Sequence, residues 1–150
     1  MKKLFAIAML SCASISGYAE TPATNMQPML KVQVLDMSNK VGRAVENNQL
    51  SLSKTHQLCW VVFNMPFKAS NEVIEIFQSP APSKFGSAAG SVSTSADRLT
   101  HKITTRMTSS NNERLDNCWR FEKSDPKGKY SLTIQVNDII FPPQTFEVTK

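Results

Sequence analysis

Hydrophobic and polar positions alternate most cleanly near the C-terminus, where Tyr130, Leu132, Ile134 and Val136 take one parity and Ser131, Thr133 and Gln135 the other. Period two puts the two sets on opposite faces of an extended chain, so this run predicts a strand with one buried and one wet face. Shorter versions predict strands over residues 30–34, 72–77, 99–107, 115–121 and 139–148, the last with an edge or bulge at Pro142-Pro143. Residues 58–63 differ. Leu58, Trp60 and Val62 on one side and Cys59, Val61 and Phe63 on the other are all apolar, as in a central strand covered on both faces.

Between the runs lie turn signals: Asn64-Met65-Pro66, Pro80-Ala81-Pro82, residues 108–112 and Asn137-Asp138. Residues 36–56 are polar and admit either a short helix over 42–49 or a weak strand over 49–53. Residues 80–97 are dense in Pro, Ser, Ala and Gly. A connection that long is either mobile or a binding element, which makes Phe85, Val92 and Asp97 candidate binding-loop residues. The stretch from Phe141 to Phe146 offers a second candidate surface, a sheet edge. About seven strands, few helical patterns and no repeat point to an all-β sandwich.

Cys118-Trp119-Arg120-Phe121 leads into Asp125-Pro126-Lys127-Gly128-Lys129-Tyr130. Pro126 presets φ and Gly128 supplies the positive φ that other residues resist, so the chain turns a tight corner before the 130–136 strand. Asp125-x-x-Gly128-x-Tyr130 resembles the tyrosine corner of immunoglobulin-like domains, in which a Tyr at the start of a late strand bonds back to the preceding connection. The resemblance spans Cys118 to Val148 and implies an immunoglobulin-like antiparallel β-sandwich with one disulfide, similar to small secreted bacterial proteins of that architecture. In antibody-type domains the second cysteine follows the Tyr by two residues. Leu132 stands there in this chain and the cysteine lies one strand earlier, so the resemblance carries over the sandwich and no antibody function.

Cys59 and Cys118 each precede a Trp. With no Cys-x-x-Cys, and with His56 and His101 lacking paired-ligand spacing, the expectation is a structural disulfide rather than a redox or metal pair. Closing a loop of about 60 residues would contribute roughly 4 kcal/mol in the chain-entropy account.

The N-terminus changes the address. Met1-Lys2-Lys3, an apolar run from Leu4 to Leu10, and small residues ending Gly17-Tyr18-Ala19 have the three zones of a secretory leader cleaved after Ala19. Lipidation at Cys12 is the weaker alternative, because Met9-Leu10-Ser11 is a poor lipobox. Residues 20–29, with Pro22 and Pro28, read as a flexible lead-in, and 30–150 as one domain in the periplasm or beyond it. The net charge of +5 loses Lys2 and Lys3 with the leader, leaving 15 basic against 12 acidic residues. These are scattered without aromatic interleaving, which gives nucleic-acid binding no support. No later stretch is apolar for long enough to span a membrane.

Catalytic patterns are missing. Ser51-x-x-Lys54 and Ser124-x-x-Lys127 match a nucleophile motif by four letters each, without the companion motifs. His56 and His101 read as solvated residues near strand ends. No catalytic, cofactor or metal residue is assigned. The expectation is a non-catalytic exported accessory protein contacting another envelope protein, with a fimbrial or surface-assembly subunit and a small envelope hydrolase or inhibitor as alternatives.

Overall fold

A computed structural model describes residues 27–150. The leader with its cut after Ala19, Cys12 and most of the 20–29 lead-in lie outside the described residues. Eleven strands follow in order: β1 Met29–Asp36, β2 Arg43–Ala44, β3 Gln49–Ser51, β4 His56–Phe63, β5 Asn71–Gln78, β6 Gly90–Thr94, β7 Thr100–Met107, β8 Arg114–Trp119, β9 Gly128–Val136, β10 Ile139–Ile140 and β11 Gln144–Thr149. They form two sheets. The smaller runs β2-β1-β4-β8 and the larger β3-β11-β9-β5-β7-β6, with β10 folded back on β9. Every pairing is antiparallel except β3 with β11.

The inward parity of each strand supplies the core. Leu58, Trp60 and Val62 of β4 meet Val73 and Phe77 of β5, Ile103 of β7 and Leu132, Ile134 and Val136 of β9, all essentially without solvent contact. Apolar burial of this kind is what holds two sheets face to face. The structure is therefore the immunoglobulin-like antiparallel sandwich with one disulfide, Cys59 to Cys118, that the pattern and the corner imply.

The corner forms as the resemblance requires. Gly128 sits at φ 131°, and the Tyr130 hydroxyl donates to the Pro126 carbonyl at 2.8 Å. The Tyr130 ring stacks on Phe146 and takes the edge of Phe121, so the bond anchors an aromatic cluster to the turn. Burial, helped by the nearby charge of Asp125, pushes the hydroxyl well above its ordinary pKa and keeps it a donor.

Three expectations change. No helix forms over 42–49; a three-residue 3-10 turn, Glu46–Asn48, carries Asn47 and Asn48 at positive φ, and the weak strand is β3. Residues 80–97 are not a loose loop. Phe85 packs into the core and Gly90–Thr94 pairs along β7, so the segment is a covering strap ending in an edge strand. The stretch from Phe141 to Phe146 is an edge only in part, because Pro142-Pro143 breaks it, Gln144–Phe146 pair with β9 alone, and β3 covers the far side of β11 from Glu147 to Thr149.

Tyr130→Phe removes one buried hydrogen bond and leaves the Pro126 carbonyl without it. Urea unfolding should show a loss of about 1 kcal/mol at unchanged slope; an unaltered midpoint would mean that the corner bond contributes nothing.

Candidate functional site

Val73, Glu75 and Phe77 share the inward parity of β5, which carries a carboxylate into the core at 1% exposure. Its Oε1 accepts three hydrogen bonds from the opposite sheet: Trp60 Nε1 at 2.5 Å, Trp119 Nε1 at 2.6 Å and Asn117 Nδ2 at 3.4 Å. Burial disfavours the charged form more than these donors favour it, so the carboxyl is held above its ordinary 4.5. Two indoles from β4 and β8 thus fasten the smaller sheet to the larger through one atom. Sequence reasoning missed this residue, although its parity with Val73 and Phe77 was the available signal.

Both histidines are buried rather than solvated. His56 Nδ1 accepts from the Ser51 backbone at 3.0 Å. His101, at 0% exposure, lies under Phe85 with Nε2 2.8 Å from Ser83 Oγ and Nδ1 3.1 Å from Thr94 Oγ1. A serine beside a histidine suggests a nucleophile, but the bond directions oppose it. Ser79 donates to the Ala81 carbonyl, which can only accept, and Ser83 donates to Ser79. With the Ser83 proton committed, His101 Nε2–H must donate to Ser83 and Nδ1 accept from Thr94. Burial also lowers the pKa of His101, consistent with a neutral ring. The chain of bonds holds the strap down and gives Ser83 no base.

The disulfide lies on the outer face of the smaller sheet. Leu58 and Trp60 point inward, so Cys59 between them points outward, and its directly opposed partner Cys118 is exposed. Their Cα atoms are 4.1 Å apart, the close spacing of a pair that exchanges no backbone hydrogen bonds. The register then turns the N–H and C=O of Leu115, Asn117 and Trp119 toward β4, and those of Arg114, Asp116 and Cys118 toward the open side. Arg114 pairs there with Ser110. Asp116 and Cys118 have no backbone partner on that side among the described residues.

A groove runs beside this edge. A cleft of about 320 Å³ separates Asn117, Cys118 and Trp119 from residues 86–89, with Thr105 and Met107 also lining it. A second, of about 390 Å³, continues past Trp119 and Gly86 toward Arg120 and Glu122. Of the residues singled out from sequence, Cys59 and Cys118 are brought together. Phe85 stacks on Phe77 at 4.7 Å and on His101 at 4.6 Å, and touches the groove only at its second cleft. Val92 is half-buried on β6, and Asp97 is exposed, accepting from Ser95 and the Leu99 backbone to hold the β6–β7 turn. The three do not form one site. Among the described residues no three His, Cys, Asp or Glu side chains are grouped to hold a metal ion, and no helix is long and apolar enough to cross a membrane.

Residues 30–149 match the family described as the PM0630 beta sandwich domain. This chain belongs to that family. Its relative in Pasteurella multocida, the uncharacterised protein PM0630, is 31% identical, with the alignment covering the whole of both chains. Among solved structures, this chain resembles an immunoglobulin-like protein from Pseudomonas aeruginosa with a TM-score of 0.52 at 8% identity, covering 84% of this chain and 99% of that one. At that identity the likeness speaks for the fold alone.

Glu75→Leu should destabilise the protein by about 2 kcal/mol or more, because it leaves the buried Trp60 indole N–H and the half-buried Trp119 one without their acceptor. Since the folded state favours the protonated carboxyl, its contribution is full below the ordinary 4.5 and is lost as pH rises through the folded value. The stability advantage of wild type over Glu75→Gln should therefore narrow as urea titrations move from acid to neutral pH. An advantage that grows over that interval would show that the carboxyl is not held protonated.

Proposed function

We propose that this chain is an exported, non-catalytic sandwich that works by contacting another protein of the cell envelope. The observation that carries the reading is the open side of β8, where the outward residues Asp116 and Cys118 have no backbone partner among the described residues and Cys118 lines a groove. A buried edge would have been paired or covered, and an exposed one recruits strands.

Export rests on two supports. The leader pattern over residues 1–19 directs the chain outward, and the Cys59–Cys118 bond lies with Cys118 exposed, where cytosolic thiols would reach it. The hydrolase alternative loses support from the direction of the Ser83–His101 bond, which leaves no activated nucleophile at that pair.

Protein recovered from the envelope without reductant and then denatured should contain no titratable thiol; two thiols would count against an oxidising compartment. A photoreactive residue replacing Ala88, on the wall facing β8, should crosslink one recurring envelope protein. The same residue replacing Glu147, exposed on β11, should not. Equal crosslinking at both positions, or at neither, would overturn the reading.

A further inference from the structure

We propose that β8 takes up an extended segment of its partner by strand addition, the incoming chain lying in the cleft between β8 and residues 86–89. This rests on the binding role proposed above and names its chemistry. Asp116 and Cys118 are two residues apart, about 6.8 Å along a strand, so their outward N–H and C=O groups match positions i and i+2 of one extended peptide. The site begins where the chain's own pairing stops. Ser110 already bonds Arg114 on that side, with Ser110 N to Arg114 O at 2.8 Å, and the slot continues the line from there.

The surroundings say what fits. β8 stands over β5, since Trp119 reaches Glu75 and packs its edge on Phe77, while β7 and β6 extend the larger sheet beyond it. Thr105 and Met107 of β7 thus lie along a cleft whose far wall is Gly86, Ser87, Ala88 and Ala89. Those small side chains leave room for a single strand. A second copy is a poorer occupant, because its own 86–89 segment stands beside its own β8 and would meet the first copy's wall. Charge marks one end. Exposed Arg106 is the charged residue lining the first cleft, whereas the second balances Lys84 and Arg120 against Glu122 and Asp125, and Asp116 is already paired with Arg114 at 3.1 Å. The occupant is therefore an extended segment with small or apolar side chains at alternate positions, free of internal proline and carrying an acidic residue toward Arg106.

A random-peptide phage library panned on the mature, oxidised protein tests this directly. Enriched peptides should show that alternation, and Asp116→Pro should weaken them about tenfold, since it deletes one outward N–H without touching the β4 ladder. Asp116→Asn, which keeps the N–H, should bind within about twofold of wild type, a difference small against one hydrogen bond. Should Asp116→Pro fail to fold, hydrogen exchange on wild type replaces it, with the peptide protecting the Asp116 and Cys118 amides. No enrichment, unchanged binding to Asp116→Pro, or binding without that protection would overturn strand addition. A partner that still crosslinks at position 88 in Asp116→Pro would overturn strand addition while leaving the binding role standing.

Discussion

The Glu75 carboxyl sets how the two sheets meet, because three donors from the smaller sheet converge on one of its oxygens. An ionisable group at 1% exposure is unfavourable in isolation and tolerable only when its partners are fixed. Both indoles must lie within reach at once, so β4 and β8 cannot slide along β5 without abandoning a buried acceptor. In antibody-type sandwiches an inter-sheet disulfide packed on a Trp does this work. Here the two Trp residues hold the sheets together through a carboxyl, and the disulfide is released for a different position.

That position is β8. Among the described residues the strand has one neighbour, β4, and it is six residues long. Cys59–Cys118 crosslinks the pair directly, and Trp119 ties the same strand to β5, so the edge of the smaller sheet is held at two adjacent residues on opposite faces. An edge fixed this firmly presents its backbone groups without first having to order them, which reduces the entropic cost of receiving a strand. Sheet cohesion, bond placement and the open edge are thus linked through residues 117–119.

Period-two alternation was enough to place β1, β5, β7, β8 and β9, a run apolar at both parities placed β4, and the turn chemistry of Pro126 and Gly128 was enough to place the corner. What alternation cannot show is a partner distant in sequence. Glu75 meets donors 15, 42 and 44 residues away, and within its own strand a carboxyl on the apolar parity looks only like an interruption. His101 looked solvated because Ser83 and Thr94, which bury it, come from a segment whose composition resembles a loop. Phe85 and Val92 were the bulky apolar residues there, and both pack against the core. The outward aim of the disulfide, by contrast, was readable: each cysteine precedes a Trp, and if both tryptophans point in, both cysteines point out.

An open edge carries a hazard, since unpaired strands aggregate. This one is guarded in ways that leave a single strand admissible. The sequence before β8 turns through Asn111 and Asn112 at positive φ and caps one end with Ser110, while the Arg114–Asp116 pair puts charge on the outer face. The 86–89 wall narrows the approach from the side. Another flat sheet edge therefore meets charge and a wall, whereas a lone extended segment meets two free residues' hydrogen bonds and small side chains. Under the proposed strand addition, the same features that suppress self-association are the ones that would select a slender partner over a second sheet edge.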